Sequence, residues 1–348
     1  MRGRRVVVPL CLAAIFVAVP FLSLDLPRVL PGPLDSPGTL QLLALCLTFA
    51  GVALSYDLLF GFTGLLSFGH ALYFALGVYV PAIALTNWGW SLPAALAFLA
   101  AVALVVSLTL GAISLRVGGI AFAMVTLAFA EAGNVIVQTN PRGLTGGDEG
   151  FSLNVDPLPD FLVGIVNTKN LYWVALGYAI AVFLVARAAI GSSAGHVWRA
   201  IRDNERRVEV IGLRPYPYKL ISFVLASFLA AGGGFVWLLL IGVTPVVASP
   251  TFTLTLLVMV VLGGAGTRFG AMLGGFLYTL LDYRLRAVAG EERIQDLPDV
   301  LRIPLSEPLF LLGALFIAVV FFAPGGLTSL PARIRQLAHR RRGREAVS

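Results

Sequence analysis

The sequence predicts an all-α, polytopic integral membrane protein, and its composition and the length of its apolar runs carry that prediction. Hydrophobic residues make up 58% of the 348 positions and charged residues 12%, with a mean hydropathy of +0.89. Soluble globular domains carry about a quarter charged residues, so this chain could not cover a water-facing surface. The apolar runs are long and do not alternate with polar residues, which favours membrane helices over a β-barrel.

The apolar runs predict about ten transmembrane helices of roughly 20 residues each. We expect a single transmembrane domain over residues 1–348. The predicted helices are Val6–Leu24, Leu40–Phe60, His70–Leu85, Leu92–Leu115, Ile120–Gln138, Leu171–Ala189, Tyr218–Ile241, Phe252–Gly264, Phe269–Val288 and Pro308–Phe322.

The first predicted helix, Val6–Leu24, could instead be a secretory signal peptide, because a basic start precedes its apolar core. No small-x-small cleavage site is evident near Leu24, and removal of the segment would leave an odd number of spans. We therefore expect a retained helix.

Two of the predicted helices, His70–Leu85 and Phe252–Gly264, are short for a membrane span. Glycine-rich turns at 61–64 and 263–266 adjoin them, a pattern typical of broken or re-entrant helices that line a polar path. The stretches 64–72 and 266–273 are also similar to each other, which leaves an internal repeat open. The candidate path residues in these turns are Gly64, Ser67, Phe68, Gly69, His70, Gly263, Gly264 and Gly266. We expect His70 to be a hydrogen-bonded structural residue rather than a proton carrier.

Lys and Arg cluster before the first helix, in the loop 191–217 and in the tail 331–348. Because basic residues concentrate in cytoplasmic loops, we expect both termini and the middle loop on the cytoplasmic side. The opposite side holds acidic stretches around 148–160 and 291–299. Membrane topology thus accounts for the net charge of +7, and we expect no nucleic-acid partner.

Several catalytic motifs are missing from the sequence. It has no P-loop, no HExxH and no GxSxG motif. Cys11 and Cys46 lie in apolar runs, and His70, His196 and His339 share no ligand spacing. We therefore expect no metal, no bound cofactor and no covalent chemistry, and a membrane-embedded lipid-modifying enzyme is a weak alternative.

Three carboxylates, Asp57, Glu131 and Asp282, lie in or at the ends of predicted spans. A charge in hydrocarbon is costly, so each should face a partner or a watery cavity. We expect Asp57 and Asp282, which lie near the interfaces, to pair with helix-terminal N–H groups or an arginine. For Glu131, near midspan, a place on the polar path and a bracing structural contact are both open.

The most distinctive polar segment is Gly195–Arg214. Its apolar residues stand singly among charges, which predicts one or two short amphipathic helices lying across the membrane face. Those apolar residues are Val197, Ile201, Val208 and Ile211. On composition alone, a solvated loop whose arginines fix the topology is the alternative.

The block from Trp198 to Gly212, followed by Tyr218, Lys219 and Leu220, resembles the cytoplasmic coupling loop of ABC-importer permeases, most closely those for branched-chain amino acids. Further segments resemble that family's motifs in the same order, so the resemblance spans about residues 40–330. They are GFTGLLSFGHA at 61–71, TLAFAE at 126–131, LTGGDEG at 144–150, VVLGGAGT at 260–267 and PGGL at 324–327. Importers of this family contain two different permease chains. The LTGG and WRAIRD motifs together are similar to those of the M-type chain.

The resemblance implies a permease subunit of a bacterial inner membrane, paired with a second permease chain, two ATP-binding subunits and an extracytoplasmic solute-binding protein. ATP and magnesium would bind the ATPase subunits and not this chain. The implied substrate is leucine, isoleucine or valine, with urea, short amides and other amino acids left open. The residues implied for coupling to the ATPase are Trp198, Arg199, Arg202, Asp203, Glu205, Glu209 and Gly212.

The chain departs from the family pattern at a few positions. Arg207 and Val208 stand where the family usually has small residues, so we expect the fit to the ATPase groove to differ in detail. Asp57 stands where asparagine is more frequent, and the charged stretch 285–303 matches no motif. A stand-alone ion-coupled carrier is the remaining alternative.

Overall fold

The computed structural model describes residues 14–25, 30–289, 307–323 and 325–329, and these residues are helical or irregular. The longer helices, labelled in chain order, are α1 (Pro37–Asp57), α2 (His70–Thr86), α3 (Leu92–Ser114), α4 (Ile120–Thr139), α5 (Thr168–Gly191), α6 (Ser193–Val210), α7 (Pro215–Leu240), α8 (Pro250–Gly263), α9 (Arg268–Ala289) and α10 (Pro308–Phe322). From α2 onward the predicted span ends differ from these by no more than a turn of helix.

Five helices of the described residues are long and apolar enough to cross a membrane: α1 with its continuation to Thr63, α3, α4, α5 and α7. The pair α8–α9 passes the same test together, but it is bent by 120°. The prediction of a polytopic helical membrane protein is therefore confirmed, whereas the number of ten spans stays a prediction. The first predicted helix begins in residues outside the described ranges. The whole of the tail 331–348 also lies outside them.

Helix α1 forms the centre of the molecule. Its most apolar window is 94% buried, and it packs against α5, α7, α8 and α9. Ser36 caps its start by accepting the N–H of Thr39 at 3.4 Å, and Pro37 occupies the first helical position. A helix that is covered on all sides has no solvent-facing polar stripe, which explains why its apolar residues are not confined to one face.

An aromatic cluster joins α1, α2, α7 and α8 near mid-depth. The ring of Phe252 lies 4.6 Å from that of Phe74 and 5.9 Å from that of Phe49, and Trp237 lies 5.7 Å from Phe49, between ring centroids. Because Phe49 lies near the middle of the span Pro37–Thr63, α8 begins inside the membrane rather than at its surface. The predicted short eighth helix is thus, together with α9, a broken span or a re-entrant pair, bent by 120°.

Helices α2 and α7 cross in direct backbone contact at Gly77 and Gly234. A Cβ added at Gly77 would lie 2.8 Å from the carbonyl carbon of Ala231 and 2.9 Å from the Cα of Gly234. Small residues allow such close approach, and dispersion contacts at close range are what hold helices together in lipid.

Replacing Gly77 by leucine should separate α2 from α7, since backbone atoms occupy the space that the side chain needs. We expect overpacking to cost about 1–3 kcal/mol or more, measured as a lower midpoint of thermal unfolding in detergent. Gly177→Leu on α5 is the matched control, because no atom lies within 4 Å of a Cβ added there. Equal midpoints for the two variants would contradict this packing.

Candidate functional site

Helix α6 is amphipathic, as the pattern of single apolar residues predicts. Ser192 caps its start by accepting the N–H of Gly195 at 3.3 Å. Its backbone is interrupted at Asn204, where φ is −166° and ψ is 102°, so the segment consists of two short helices in sequence. Trp198, Ile201 and Val208 are buried on its inner face.

Side chains of α6 anchor it to the two helices that flank it. The indole N–H of Trp198 donates to the carbonyl oxygen of Tyr218 at 2.8 Å, and Glu205 forms an ion pair with Lys219, both near the start of α7. Arg199 Nη2 donates to the carbonyl oxygen of Ile190 near the end of α5 at 3.0 Å. Movement of α6 is therefore tied to α5 and α7.

Arg202 extends from α6 to two glycine-rich turns of the membrane domain. Its Nη1 donates to the carbonyl oxygen of Gly61, in the π-helical turn Leu58–Thr63 that continues α1. A Cβ added at Gly64 would lie 3.1 Å from Arg202 Cγ, and one added at Gly266 would lie 2.5 Å from Arg202 Nη1. Residues Asp57, Gly61, Gly64, Arg202 and Gly266 form what we call the Arg202 junction.

Asp57 joins the same two turns from inside. It is fully buried at the end of α1, and its Oδ1 accepts the N–H of Gly266 at 2.8 Å, in the turn before α9. Asp57 thus pairs with a backbone N–H group, as expected, but with one in the turn before α9 and not at a helix terminus. Asp282 likewise pairs with an arginine, because Arg286 Nε lies 3.0 Å from its Oδ2.

Gly64 and Gly266 have φ angles of +78° and +76°. This left-handed backbone strains residues that carry a Cβ, so glycine suits both turns for conformation as well as for space. The two stretches that resemble each other in sequence therefore meet at one arginine. The internal repeat itself stays a prediction.

The turn 67–70 is held by hydrogen bonds to α1 and α4. Tyr56 donates its hydroxyl to the carbonyl oxygen of Ser67 at 3.0 Å, and the N–H of Phe68 donates to Thr126 Oγ1 at 3.0 Å. His70 Nε2 lies 2.9 Å from Ser55 Oγ, which confirms His70 as a hydrogen-bonded residue. These contacts fix the start of α2.

The candidate path residues divide by exposure. Ser67, Gly69, His70, Gly263 and Gly264 are buried within the chain, Phe68 and Gly266 are half-buried, and Gly64 and Glu131 are exposed. If this chain alone bounded a polar path, the buried candidate residues would have to become exposed to it. Their role on a path stays a prediction.

Sequence reasoning missed an exposed apolar group at the end of α6. Val210 is 82% exposed and Ile211 72%, followed by Leu213 at 37%. Ile211, one of the single apolar residues that predict an amphipathic helix, lies beyond its end, because the helix ends at Val210 and the chain turns at Gly212, where φ is +88°. We call residues 210–213 the α6 tip. Asp203, Glu209 and Gly212 are exposed as well.

The LTGGDEG segment, residues 144–150, forms a tight loop after the C-terminal end of α4. Asn140 Oδ1 accepts the N–H groups of Thr145 at 2.8 Å and Gly146 at 3.0 Å. The loop leaves Asp148 and Glu149 exposed. Among the described residues, no group of three or more His, Cys, Asp or Glu side chains could hold a metal ion.

These features define a multi-pass helical membrane protein with an amphipathic helix anchored to two of its membrane helices. Over residues 38–320 the chain matches the family described as the permease component of the branched-chain amino acid transport system, and it belongs to that family. No solved structure matches the chain.

Similar proteins carry the same description. The chain is 25% identical over 321 residues to the high-affinity branched-chain amino acid transport system permease protein LivM of Escherichia coli, covering 84% of this chain and 70% of that one. It is 26% identical over 212 residues to a probable branched-chain amino acid transport permease protein LivM of Methanocaldococcus jannaschii, covering 58% of this chain and 57% of that one.

Replacement of Asp57 tests the Arg202 junction. Asp57→Val removes the acceptor for the Gly266 N–H, and an unpaired N–H in this site should cost about 1–3 kcal/mol of unfolding free energy. Asp57→Asn keeps an acceptor oxygen and should unfold near the wild-type temperature. Thermal unfolding in detergent measures both, and equal stability of Asp57→Val and wild type would show that the bond contributes nothing.

Proposed function

We propose that this chain is the transmembrane subunit of an ATP-driven importer. In it the chain pairs with a second permease chain, two ATP-binding subunits and an extracytoplasmic solute-binding protein. The observation that carries the proposal is the Arg202 junction, because it joins an amphipathic surface helix to the turns of two broken membrane segments. ATP and magnesium bind the ATPase subunits, and this chain does no covalent chemistry.

The ATPase binds the α6 tip, and the contacts that hold α6 to α5 and α7 transmit the motion of the ATPase to the membrane helices. Val210, Ile211 and Leu213 offer an apolar surface, and the exposed carboxylates of Asp203 and Glu209 on the same segment are available for polar contacts. When the ATP-binding subunits close, α6 moves as a lever and Arg202 displaces the turns after α1 and before α9. Such turns suit hinges, because a few residues there absorb the backbone change.

The substrate is leucine, isoleucine or valine, which the family description and the names of the similar proteins support. The membrane is a bacterial inner membrane, with α6 and both termini on the cytoplasmic side. The loop 141–167, with its exposed Asp148 and Glu149, faces the solute-binding protein on the other side.

Reconstitution into liposomes tests this function directly. We expect uptake of labelled leucine when both permease chains, the ATPase subunits, the loaded binding protein and internal ATP are present. Omission of the ATPase subunits should abolish uptake, because the permease chains have no nucleotide site of their own. Uptake by this chain alone, driven by an ion gradient, would identify a stand-alone carrier instead.

Two variants of α6 should separate docking from transmission. Ile211→Asp places a charge in the apolar tip and should lower the amount of ATPase that co-purifies by roughly tenfold or more. Arg202→Ala should leave that amount near wild type while uptake falls, since it removes the link to Gly61 and not the tip.

The matched control is Val166→Asp, because Val166 is 94% exposed in the loop on the far side. Its ATPase yield should equal that of wild type, because this loop lies on the side opposite α6. Wild-type ATPase yield from Ile211→Asp would exclude the tip as the docking surface.

A further inference from the structure

The outward face of α4 carries a carboxylate near the middle of the membrane. Glu131 lies near the middle of the span Ile120–Thr139, and its side chain is exposed. Its hydrogen-bond partner among the described residues is Asn134, whose Nδ2 lies 3.5 Å from Glu131 Oε1, at the limit for such a bond. The exposed stripe that contains it consists of Ile120, Met124, Ala128, Glu131 and Val135.

Helix α3 shows what a lipid-facing surface looks like in this protein. Its exposed side chains are large and aliphatic, with Leu104 at 45%, Val105 at 59% and Leu108 at 42%. The hydroxyl of Thr109, which is also exposed, donates to the carbonyl oxygen of Val105 in its own helix at 2.8 Å. No charged side chain lies between Leu92 and Ser114, whereas α4 exposes one at midspan.

Irregular backbone lies beside α4 as well. The turn Pro245–Ala248 packs against α4 and α2, ahead of the mid-depth start of α8, and Val246 in this turn is 75% exposed. Non-helical backbone at membrane depth is tolerated where protein covers it or where it lines a watery cavity, but not against lipid. The turn packs against the loop Gly147–Glu149 as well, so the exposed carboxylate of Glu131 is the feature that excludes lipid from this face.

We infer that the second permease chain covers this face of α4, and that Glu131 binds the ammonium group of the amino-acid substrate in the path between the two chains. The inference rests on the proposed importer function and names a residue for its substrate. The occupant is a permease chain because the covering surface must itself span the membrane at the depth of Glu131.

The chemistry of the substrate matches this position. An amino acid crosses as a zwitterion, and its ammonium group needs a compensating charge where water is scarce. A carboxylate supplies a charge-assisted hydrogen bond, which is about twice as strong as a neutral one. Met124 and Val135 lie on the same stripe, toward either end of α4, and offer apolar contact for an aliphatic side chain.

Spin labels on the assembled importer test the covering of α4. Cys11 and Cys46 are first replaced by serine, and single cysteines are then introduced at Ala128 and, as the lipid-facing control, at Leu108. We expect oxygen, which concentrates in lipid, to relax the label at 108 strongly and the label at 128 weakly. Equal oxygen relaxation at both positions would overturn the inference, as would short-range coupling between two labels at 128, which would mean that α4 meets a second copy of this chain.

Replacement of Glu131 tests the ammonium contact in the same liposomes. Glu131→Gln keeps the shape but loses the charge, so uptake of leucine should fall roughly tenfold or more, while Glu131→Asp retains a substantial part of it. The Leu108→Gln control should transport at the wild-type rate. Wild-type uptake by Glu131→Gln would refute the contact while leaving the importer assignment intact, whereas failure of the wild-type assembly itself would count against the proposed function.

Discussion

Backbone that leaves the helical conformation inside a membrane must find hydrogen-bond partners within the protein, because hydrocarbon supplies none. The turns after α1 and before α9 are satisfied by side chains from other elements. Asp57 accepts the Gly266 N–H, Arg202 donates to the Gly61 carbonyl, and Tyr56 donates to the Ser67 carbonyl. Each turn is therefore stable only while its neighbours stay in place.

This constraint makes the turns suitable as the moving parts of a transporter. A turn that depends on α6 for one of its partners responds when α6 moves, whereas an ordinary helix satisfies its own backbone and would not. Arg202 is thus a structural partner of Gly61, and in the proposed importer it is the point at which movement of α6 reaches the membrane domain. The left-handed glycines at 64 and 266 keep the backbone free of the strain that a Cβ would add.

Hydropathy predicted the membrane helices, and single apolar residues among charges predicted α6, since both signals are local. The Arg202 junction could not be predicted, because it joins residues 141 and 209 positions apart. The exposure of Glu131 could not be predicted either. In a mostly apolar membrane helix the buried and exposed faces show no difference in sequence pattern, because the neighbouring helices decide which side chains are covered. The α6 tip was detectable in principle, as the run Val210–Leu213 interrupts the charged pattern.

The geometry also changes what the departures from the family pattern mean. Val208 is buried within the chain, so a larger residue there alters how α6 packs on its own chain. Arg207 is exposed and adjoins the tip, so it is the departure that bears on the partner. Trp198 and Arg202, which carry much of the resemblance, both point inward to contacts within the chain. The resemblance in this segment therefore reflects how α6 is anchored to its own chain, while the exposed apolar surface lies in the residues after it.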